Sequence, residues 1–301
     1  MTNLFIVVVF LLIGIALQFV KQVPTSTAQY LNKYLIYVVL PILALKYIPE
    51  IDLELSLLLP ISSAWISFGL SWVLFGTLGR KFNWKKSVTG CLIITAGLAN
   101  TSFVGFPIVK ALFGEEALKI ALLIDQAGSF IIVSSIAIIV ASIYSEEKKR
   151  KRDITKKILT FPPFIFFILA FVLNFSNVQF TGNIAILFDL IAKTLTPIAL
   201  IAVGLQVKIN MDAIRSKYLW LGLGYKLLLI PAVIFLLFGF AFRVEEFVFK
   251  VTVIETAMAP MITGSIIAIS HDLEPKLASL LVGLGIPLSF FTIGFWYWVV
   301  G

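Results

Sequence analysis

Two stretches of this 301-residue chain interrupt long apolar sequence with polar residues, glycine and proline. The first covers residues 96–107 and contains Asn100 and Thr101, and the second covers residues 255–264 and contains Pro260. Proline lacks an amide hydrogen and clashes with the preceding turn, so it breaks or bends a helix. The helical half after a break begins with free amide groups and partial positive charge, which favour a carboxylate. The two stretches therefore predict a binding site for a small organic anion, and the freed carbonyls suit a cation or a proton-bearing group.

The composition places these stretches in a membrane protein. Hydrophobic residues make up 60% of the chain and charged residues only 13%, whereas soluble domains use about 25% charged residues. At about 20 residues per spanning helix, the chain accommodates ten spans joined by short loops. We therefore predict an all-α integral membrane protein whose apolar segments lie at 3–20, 31–48, 57–79, 87–113, 117–143, 158–175, 183–207, 218–241, 246–270 and 276–300.

The basic residues predict the orientation of the chain. If the N-terminus is outside, 17 of the 24 Lys and Arg residues fall in cytoplasmic loops, in accord with the positive-inside rule. Both termini are therefore expected to face outside. The same rule explains the net charge of +8 without nucleic acid as a partner.

Other functional classes are disfavoured. A single cysteine and a single histidine cannot form an intrachain disulfide, a cysteine metal cluster or a histidine-based metal site. The sequence has no serine-centred elbow or phosphate-binding loop. We therefore expect neither an enzyme nor a bound cofactor.

One strongly charged run divides the chain into two halves. We predict a first five-helix repeat at 1–143, a basic cytoplasmic loop at 144–157 and a second repeat at 158–301, all within a single membrane domain. Because five is an odd number, the second half enters the membrane in the opposite direction, which is the pattern of an inverted-topology repeat. Broken helices at matching places in such repeats mark transporter sites. A pair of ordinary proline kinks is the alternative, and one such segment alone would leave the question open.

The residues around the first break resemble a known family. Asn100, Thr101, Gly105 and Pro107 are similar to the Asn-Thr-x-x-x-Gly-x-Pro crossover of the auxin efflux carrier family, which includes plant PIN-FORMED carriers and many bacterial transporters. The resemblance implies helices 4 and 9 that are broken and cross, as in the bile-acid sodium symporter-like fold. It also implies a scaffold of spans 1, 2, 6 and 7, a transport domain of spans 3–5 and 8–10, and elevator movement.

The resemblance further implies a substrate and an assembly. A carboxylate would bind at the crossover through Asn100, beside Thr101, Gly105, Gln126 and Pro260. Bacterial relatives are associated with small dicarboxylates such as malate and malonate. The chain would lie in the lipid bilayer of a bacterial inner membrane as a homodimer formed through the scaffold. The central loop is much shorter than that of the long plant members, and Pro260 offers no second amide side chain, so auxin itself is not the expected substrate.

Four ionisable residues are expected near the membrane midplane, namely Asp125, Lys193, Lys226 and Glu255. Charges there are costly and usually face the protein interior or a transport pathway. Asp189 precedes Lys193 by four residues, so we predict a structural ion pair on one helix face. Lys226 is a supporting charge that could pair with either Asp125 or Glu255.

Glu255 is the main candidate for coupling to an ion. Glu255 and Met258 resemble the Glu-x-x-Met segment that precedes the ninth-helix break of bile-acid sodium symporters. Sodium would bind the Glu255 carboxylate and nearby carbonyl oxygens, or the carboxylate would carry a proton if burial raised its pKa. Asp125 is included with Glu255 and Met258 as a coupling candidate.

The leading hypothesis is a secondary active or electrogenic transporter that exports or exchanges small organic anions by alternating access. A sodium-coupled symporter that uses Glu255 is the alternative. A receptor that binds the anion without transporting it is a third reading, because binding and transport use the same site.

Overall fold

The structure is a computed structural model, and it describes residues 2–24, 26–52, 54–145, 162–207 and 215–301. In these ranges the chain is helical, and its one sheet-like feature is an isolated β-bridge between Ala99 and Pro260. Most of the basic loop predicted at 144–157 lies outside the described residues. The described helices are α1 Thr2–Leu17, α2 Thr27–Glu50, α3 Leu55–Lys81, α4 Lys86–Ala96, α5 Thr101–Phe113, α6 Ala117–Tyr144, α7 Pro162–Phe175, α8 Gly182–Gly204, α9 Lys217–Ala241, α10 Glu246–Thr256, α11 Ile262–Ser270 and α12 Pro275–Val299.

Six of the described helices are long and apolar enough to cross a membrane, namely α2, α3, α6, α8, α9 and α12. The apolar helices α1, α4, α5 and α7 are shorter. The prediction of a multi-pass, all-helical membrane protein is therefore confirmed. The arrangement of ten spans in two inverted repeats stays a prediction.

Both predicted helix interruptions are present. Predicted span four consists of α4 and α5, with residues 97–100 between them. Predicted span nine consists of α10 and α11, with residues 257–261 between them. Proline at 260 removes one amide donor in the second stretch, and Pro107 of the first stretch lies within α5, after the break. The sequence signal for a broken helix is thus confirmed at both places.

Several helices widen locally into π-helical turns, which often occur at functional sites. Such turns include Thr101–Gly105 at the start of α5, Ile124–Phe130 within α6 and Tyr225–Leu229 within α9. They carry Thr101, Asp125, Gln126, Ser129 and Lys226. These irregular turns therefore hold several of the buried polar residues, including the buried Asp125 and Lys226.

The chain divides into two compact units, each discontinuous in sequence. Unit 1 comprises Met1–Glu54, Ser102–Leu122 and Lys156–Val207, and unit 2 comprises Leu55–Thr101, Leu123–Thr155 and Lys208–Gly301. This grouping differs from the expected scaffold and transport domain, because α5 and the first turns of α6 fall in the unit that contains α1, α2, α7 and α8.

Unit 1 is held together by close helix packing and polar links. Gly14 of α1 faces Gly204 of α8 so closely that a Cβ added at Gly14 would lie 2.9 Å from the Gly204 Cα. The Asn174 amide at the end of α7 donates to carbonyls of residues 48, 49 and 51. These contacts fix α1 against α8 and α7 against the end of α2.

Unit 2 contains a continuous buried apolar core. Its members come from α3, α4, the second part of α6, α9, α11 and α12, and they include Phe75, Leu92, Ile93, Leu219 and Leu281. The Tyr225 hydroxyl on α9 donates to the Ser67 carbonyl on α3. The two helix breaks lie against this core, which supports their irregular backbone.

Candidate functional site

The two helix breaks pair with each other within unit 2. The Asn100 amide donates to the Ala259 carbonyl at 2.9 Å, and the Met261 amide donates to the Leu98 carbonyl at 3.0 Å. Together these bonds form a short antiparallel bridge centred on Ala99 and Pro260. The bridge satisfies backbone groups that the helix ends leave without intrahelical partners. It also places the starts of α5 and α11 next to each other.

Asn100 lies at this pairing with an unused donor. Its side chain is 2% exposed, and its Nδ2 atom has no hydrogen-bond partner among the described residues. A buried polar atom without a partner costs about 1–3 kcal/mol. This position next to the start of α5, where amides carry partial positive charge, suits an acceptor such as a carboxylate.

Asp125 and its neighbours form a hydrogen-bonded group beside the first break. The Thr101 hydroxyl donates to Asp125 Oδ1, and Gln126 Nε2 donates to Asp125 Oδ2 at 2.7 Å. All three side chains are buried, and Gln126 Oε1 has no partner among the described residues. The group anchors the π-helical turn of α6 to the start of α5.

Glu255 is the side chain of the site with the most polar atoms that lack a hydrogen-bond partner. It is fully buried near the end of α10, and neither carboxylate oxygen has a hydrogen-bond partner in the described part of the chain. Ser129 Oγ, also buried, likewise has none. A buried carboxylate in this state calls for a proton, a cation or water.

A small cavity lies beside Glu255. Its volume is about 10 Å³, which is close to the space that one water molecule needs. The hydroxyls of Ser63 and Ser67 on its wall already donate to backbone carbonyls. Because their hydrogens are used, these oxygens can only accept hydrogen bonds or bind a cation in the cavity. The wall is therefore rich in acceptor oxygens and includes Ser63, Ser67, Thr101, Ser129, Glu255 and Thr256.

The sequence allows Lys226 to pair with Asp125 or Glu255, and the structure shows no hydrogen bond between Lys226 and Glu255. Its ammonium is fully buried and donates to the Thr256 carbonyl at 2.7 Å. Thr256 is the last residue of α10, and helix ends leave carbonyls without intrahelical partners. A cation at a helix C-terminus also complements the helix dipole. Lys226 therefore completes the end of the broken helix.

The predicted ion pair between Lys193 and Asp189 is wrong. Asp189 instead accepts from Lys46 of α2, with 2.7 Å between Nζ and Oδ1. Lys46 also lies 3.3 Å from Glu115 Oε2. The spacing of four residues on α8 is compatible with a pair between Lys193 and Asp189. In the structure, however, Asp189 is bound by Lys46, which lies on another helix of unit 1.

The remaining predicted site residues fall into two groups. Met258 and Pro260 are buried in the second break, and Met258 follows Glu255 within the turn that ends α10. Gly105 is buried in α5 and belongs to unit 1. The structure thus brings together Asn100, Thr101, Asp125, Gln126, Glu255, Met258 and Pro260 in unit 2.

Sequence reasoning missed several hydroxyl-bearing residues of unit 2. Ser63, Ser67 and Ser71 are buried on α3 at spacings of four residues, so they share one helix face. Ser129 and Thr256 complete the polar wall near Glu255. A serine repeat at helical spacing in an apolar span was the signal that could have revealed this face.

The described part of the chain is apolar and helical, and its two broken helices pair with each other beside buried polar atoms that have no hydrogen-bond partner there. This architecture is typical of a membrane transporter. The family described as "Membrane transport protein" matches residues 1–297. The chain belongs to this family, and the resemblance to auxin efflux carriers is thereby confirmed.

Two archaeal relatives agree with this assignment. An uncharacterized transporter of Methanothermobacter thermautotrophicus is 26% identical over 294 residues, which cover 96% of this chain and 95% of the relative. An uncharacterized transporter of Methanocaldococcus jannaschii is 24% identical over 227 residues, which cover 73% and 71% of the two chains. The matches point to a transporter and not to an enzyme.

Proposed function

We propose that the protein exports small organic anions across the membrane by alternating access. The substrate carboxylate binds where the helix breaks pair, and compact dicarboxylates such as malate and malonate are the first candidates. The observation that carries this proposal is the buried, unpartnered Asn100 Nδ2 beside the start of α5. The outward direction rests on the relationship to efflux carriers.

The Asn100 site is tested by substitution. A thermal-shift screen of dicarboxylates, amino acids and aromatic acids first identifies a ligand. We expect Asn100→Ala to weaken that ligand by about tenfold or more, because a hydrogen bond to a charged group contributes about 1.5–3 kcal/mol. Asn100→Asp should weaken it further through charge repulsion. Thr77→Ala, which removes an exposed hydroxyl from the same unit, is the control. Unchanged affinity in both Asn100 variants would remove this residue from the site.

Transport itself is tested in proteoliposomes. Counterflow of the labelled ligand distinguishes a transporter from a receptor, because only a transporter exchanges internal for external ligand. Binding without counterflow would contradict the transport proposal but not the binding site.

We propose elevator movement of a domain containing the helix breaks, a homodimer formed through the other domain, and residence in a bacterial inner membrane.

The acceptor-rich cavity beside Glu255 favours a second candidate function, the coupling of transport to a cation. Its oxygen lining suits sodium, a hard cation, and the unpartnered Glu255 carboxylate equally suits a transferable proton. An electrogenic uniporter would need neither ion. The cavity volume of about 10 Å³ limits the occupant to a single small ion or water.

Glu255→Gln decides between these mechanisms. Loss of sodium dependence would assign a sodium site, and a flattened pH profile with sodium still without effect would assign a proton carrier. Glu246→Gln is the matched control, because Glu246 lies on the same helix but is exposed and pairs with Lys250. Transport that keeps both dependences in Glu255→Gln would reject coupling at this residue.

A further inference from the structure

A cavity of about 520 Å³ lies within unit 1, and residues of α1, α5 and α8 line it. Phe10, Pro107 and Pro197 contribute apolar surface, while Lys110, Lys193 and Thr196 contribute polar groups. Cavities of about 300–1,000 Å³ accommodate small organic ligands. All of the lining residues belong to unit 1, so this cavity is distinct from the helix breaks.

Among the charged residues that line the cavity, Lys193 is the cation without a neutralising partner in the described part of the chain. Lys110 pairs with Glu115 at 2.9 Å, so this pair is neutral. Lys193 is exposed to the cavity and has no ion-pair partner in the described part of the chain, since Asp189 is bound by Lys46. The formal charge of the cavity wall is therefore +1.

An unpaired ammonium in an apolar helix has to be explained. α8 is one of the helices long and apolar enough to span a membrane, and a charge at such a position is costly and marks a functional site by default. A cavity that admits water lowers this cost, and a bound anion lowers it further.

We propose that this cavity is a second anion-binding site, in which Lys193 binds an anionic group attached to an apolar body. The Lys193 ammonium holds the carboxylate or phosphate, and the Thr196 hydroxyl lies one turn away on the same face of α8. The side chains of Ile6, Val7 and Phe10 on α1 cover the apolar part of the ligand. The proposal stands whether or not Asn100 binds a carboxylate.

The test measures the electrostatics of the cavity with a cysteine reporter at Thr196. Thr196→Cys is labelled with a negatively charged and a positively charged methanethiosulfonate reagent. The native Cys91 is fully buried and does not compete. One unit charge about 6 Å away should change the ratio of the two rates by roughly tenfold. We therefore expect Lys193→Gln to lower the negative-to-positive ratio by roughly tenfold and Lys193→Arg to restore it, whereas Lys33→Gln leaves it unchanged.

Protection of the reporter identifies the ligand source. Hexanoate or malonate added in detergent, and phosphatidylglycerol against phosphatidylcholine in nanodiscs, are compared as protecting agents. Protection by hexanoate but not malonate supports a soluble anion with an apolar body, and protection by phosphatidylglycerol alone supports a lipid headgroup. Protection by malonate to the same degree as hexanoate overturns the apolar part of the proposal. A rate ratio insensitive to Lys193→Gln, or equal rates with and without every probe, overturns the site itself, and neither result bears on Asn100.

Discussion

The Lys226 ammonium donates to the carbonyl that ends α10, and both groups are buried. Lys226→Met would leave that carbonyl unpaired and remove the cation near Glu255, although it also removes a buried charge. Because breaking one side of a buried polar contact is costly, we expect a loss of about 1–3 kcal/mol in stability, measured by thermal or denaturant unfolding in detergent.

Two further variants test this prediction, one as a partial rescue and one as a control. Lys226→Gln keeps an N–H donor and should recover part of the loss. Lys250→Met removes a partly buried lysine that pairs with the exposed Glu246 one turn away on α10 and donates to the Gly301 carbonyl, and i,i+4 pairs of this kind contribute about 0.3–0.5 kcal/mol. Equal stability of Lys226→Met and the native protein would show that the end of α10 does not need this bond.

Glu115 carries a pH-dependent contact within unit 1. Partial burial acts to raise the pKa of its carboxyl group, but hydrogen bonding to Lys110 and the Lys110 charge outweigh this effect. Tyr47, whose hydroxyl lies 3.0 Å from the carboxylate, and Lys46 act in the same direction. The net result lowers the pKa of Glu115 from 4.5 to about 2.

A lowered carboxyl pKa stabilises the folded state above the unfolded value of 4.5 and loses that effect as the pH falls towards 2. We therefore expect the native protein to unfold at a higher temperature than Glu115→Gln near pH 6, with the difference shrinking between pH 4.5 and pH 2. Glu54→Gln, on the same unit, serves as the control for general acid effects. A difference that stays constant over this range would contradict the assigned pKa.

At the scale of helices, Gly285 allows α12 to approach the second break. A Cβ at Gly285 would lie 2.6 Å from Pro260 Cδ and 3.1 Å from a Leu223 methyl group. Gly285→Ala should therefore displace the break and cost about 1–3 kcal/mol through overpacking, with a matching loss of ligand affinity. Thermal unfolding and ligand binding measure the two effects.

Gly294→Ala is the matched control on the same helix, because a Cβ there meets no atom within 4 Å. Alanine is a better helix former than glycine by about 1 kcal/mol, so this variant should be as stable as the native protein or more so. If Gly285→Ala behaved like Gly294→Ala, close packing at Pro260 would not determine the position of the break.

The broken helices could be predicted from the sequence, because glycine and proline act through local backbone geometry. Partners could not be predicted in the same way. The spacing of Lys193 and Asp189 suggested a pair, yet Lys46, more than 140 residues away in sequence, binds Asp189. The sequence allows Lys226 to pair with Asp125 or Glu255, but it does not reveal the backbone carbonyl of Thr256 that Lys226 binds, because composition identifies ionisable side chains and not the carbonyls exposed by a break.

At the scale of the whole molecule, the two units divide the chain at places that a count of spans does not reveal. The boundary between Thr101 and Ser102 falls inside the first turn of α5, and the boundary after Leu122 falls within α6. Hydropathy identifies apolar segments, but it carries no information about which segment packs with which. The division of two predicted spans, at 87–113 and 117–143, between the compact units therefore appeared only in three dimensions.

The charges of the chain predict its orientation in the membrane, and reporter fusions test it. If the ten predicted spans alternate in direction, 17 of 24 basic residues fall on one side, and the positive-inside rule predicts that this side is cytoplasmic and that both termini are outside. Alkaline phosphatase fused after Gly301 should then be active and green fluorescent protein at the same place dark. Fusions truncated after Ser145, which precedes the basic run, should give the opposite pair of signals. Active phosphatase after Ser145 with fluorescence after Gly301 would invert the topology and place the pairing of Glu115 with Lys110 on the cytoplasmic side.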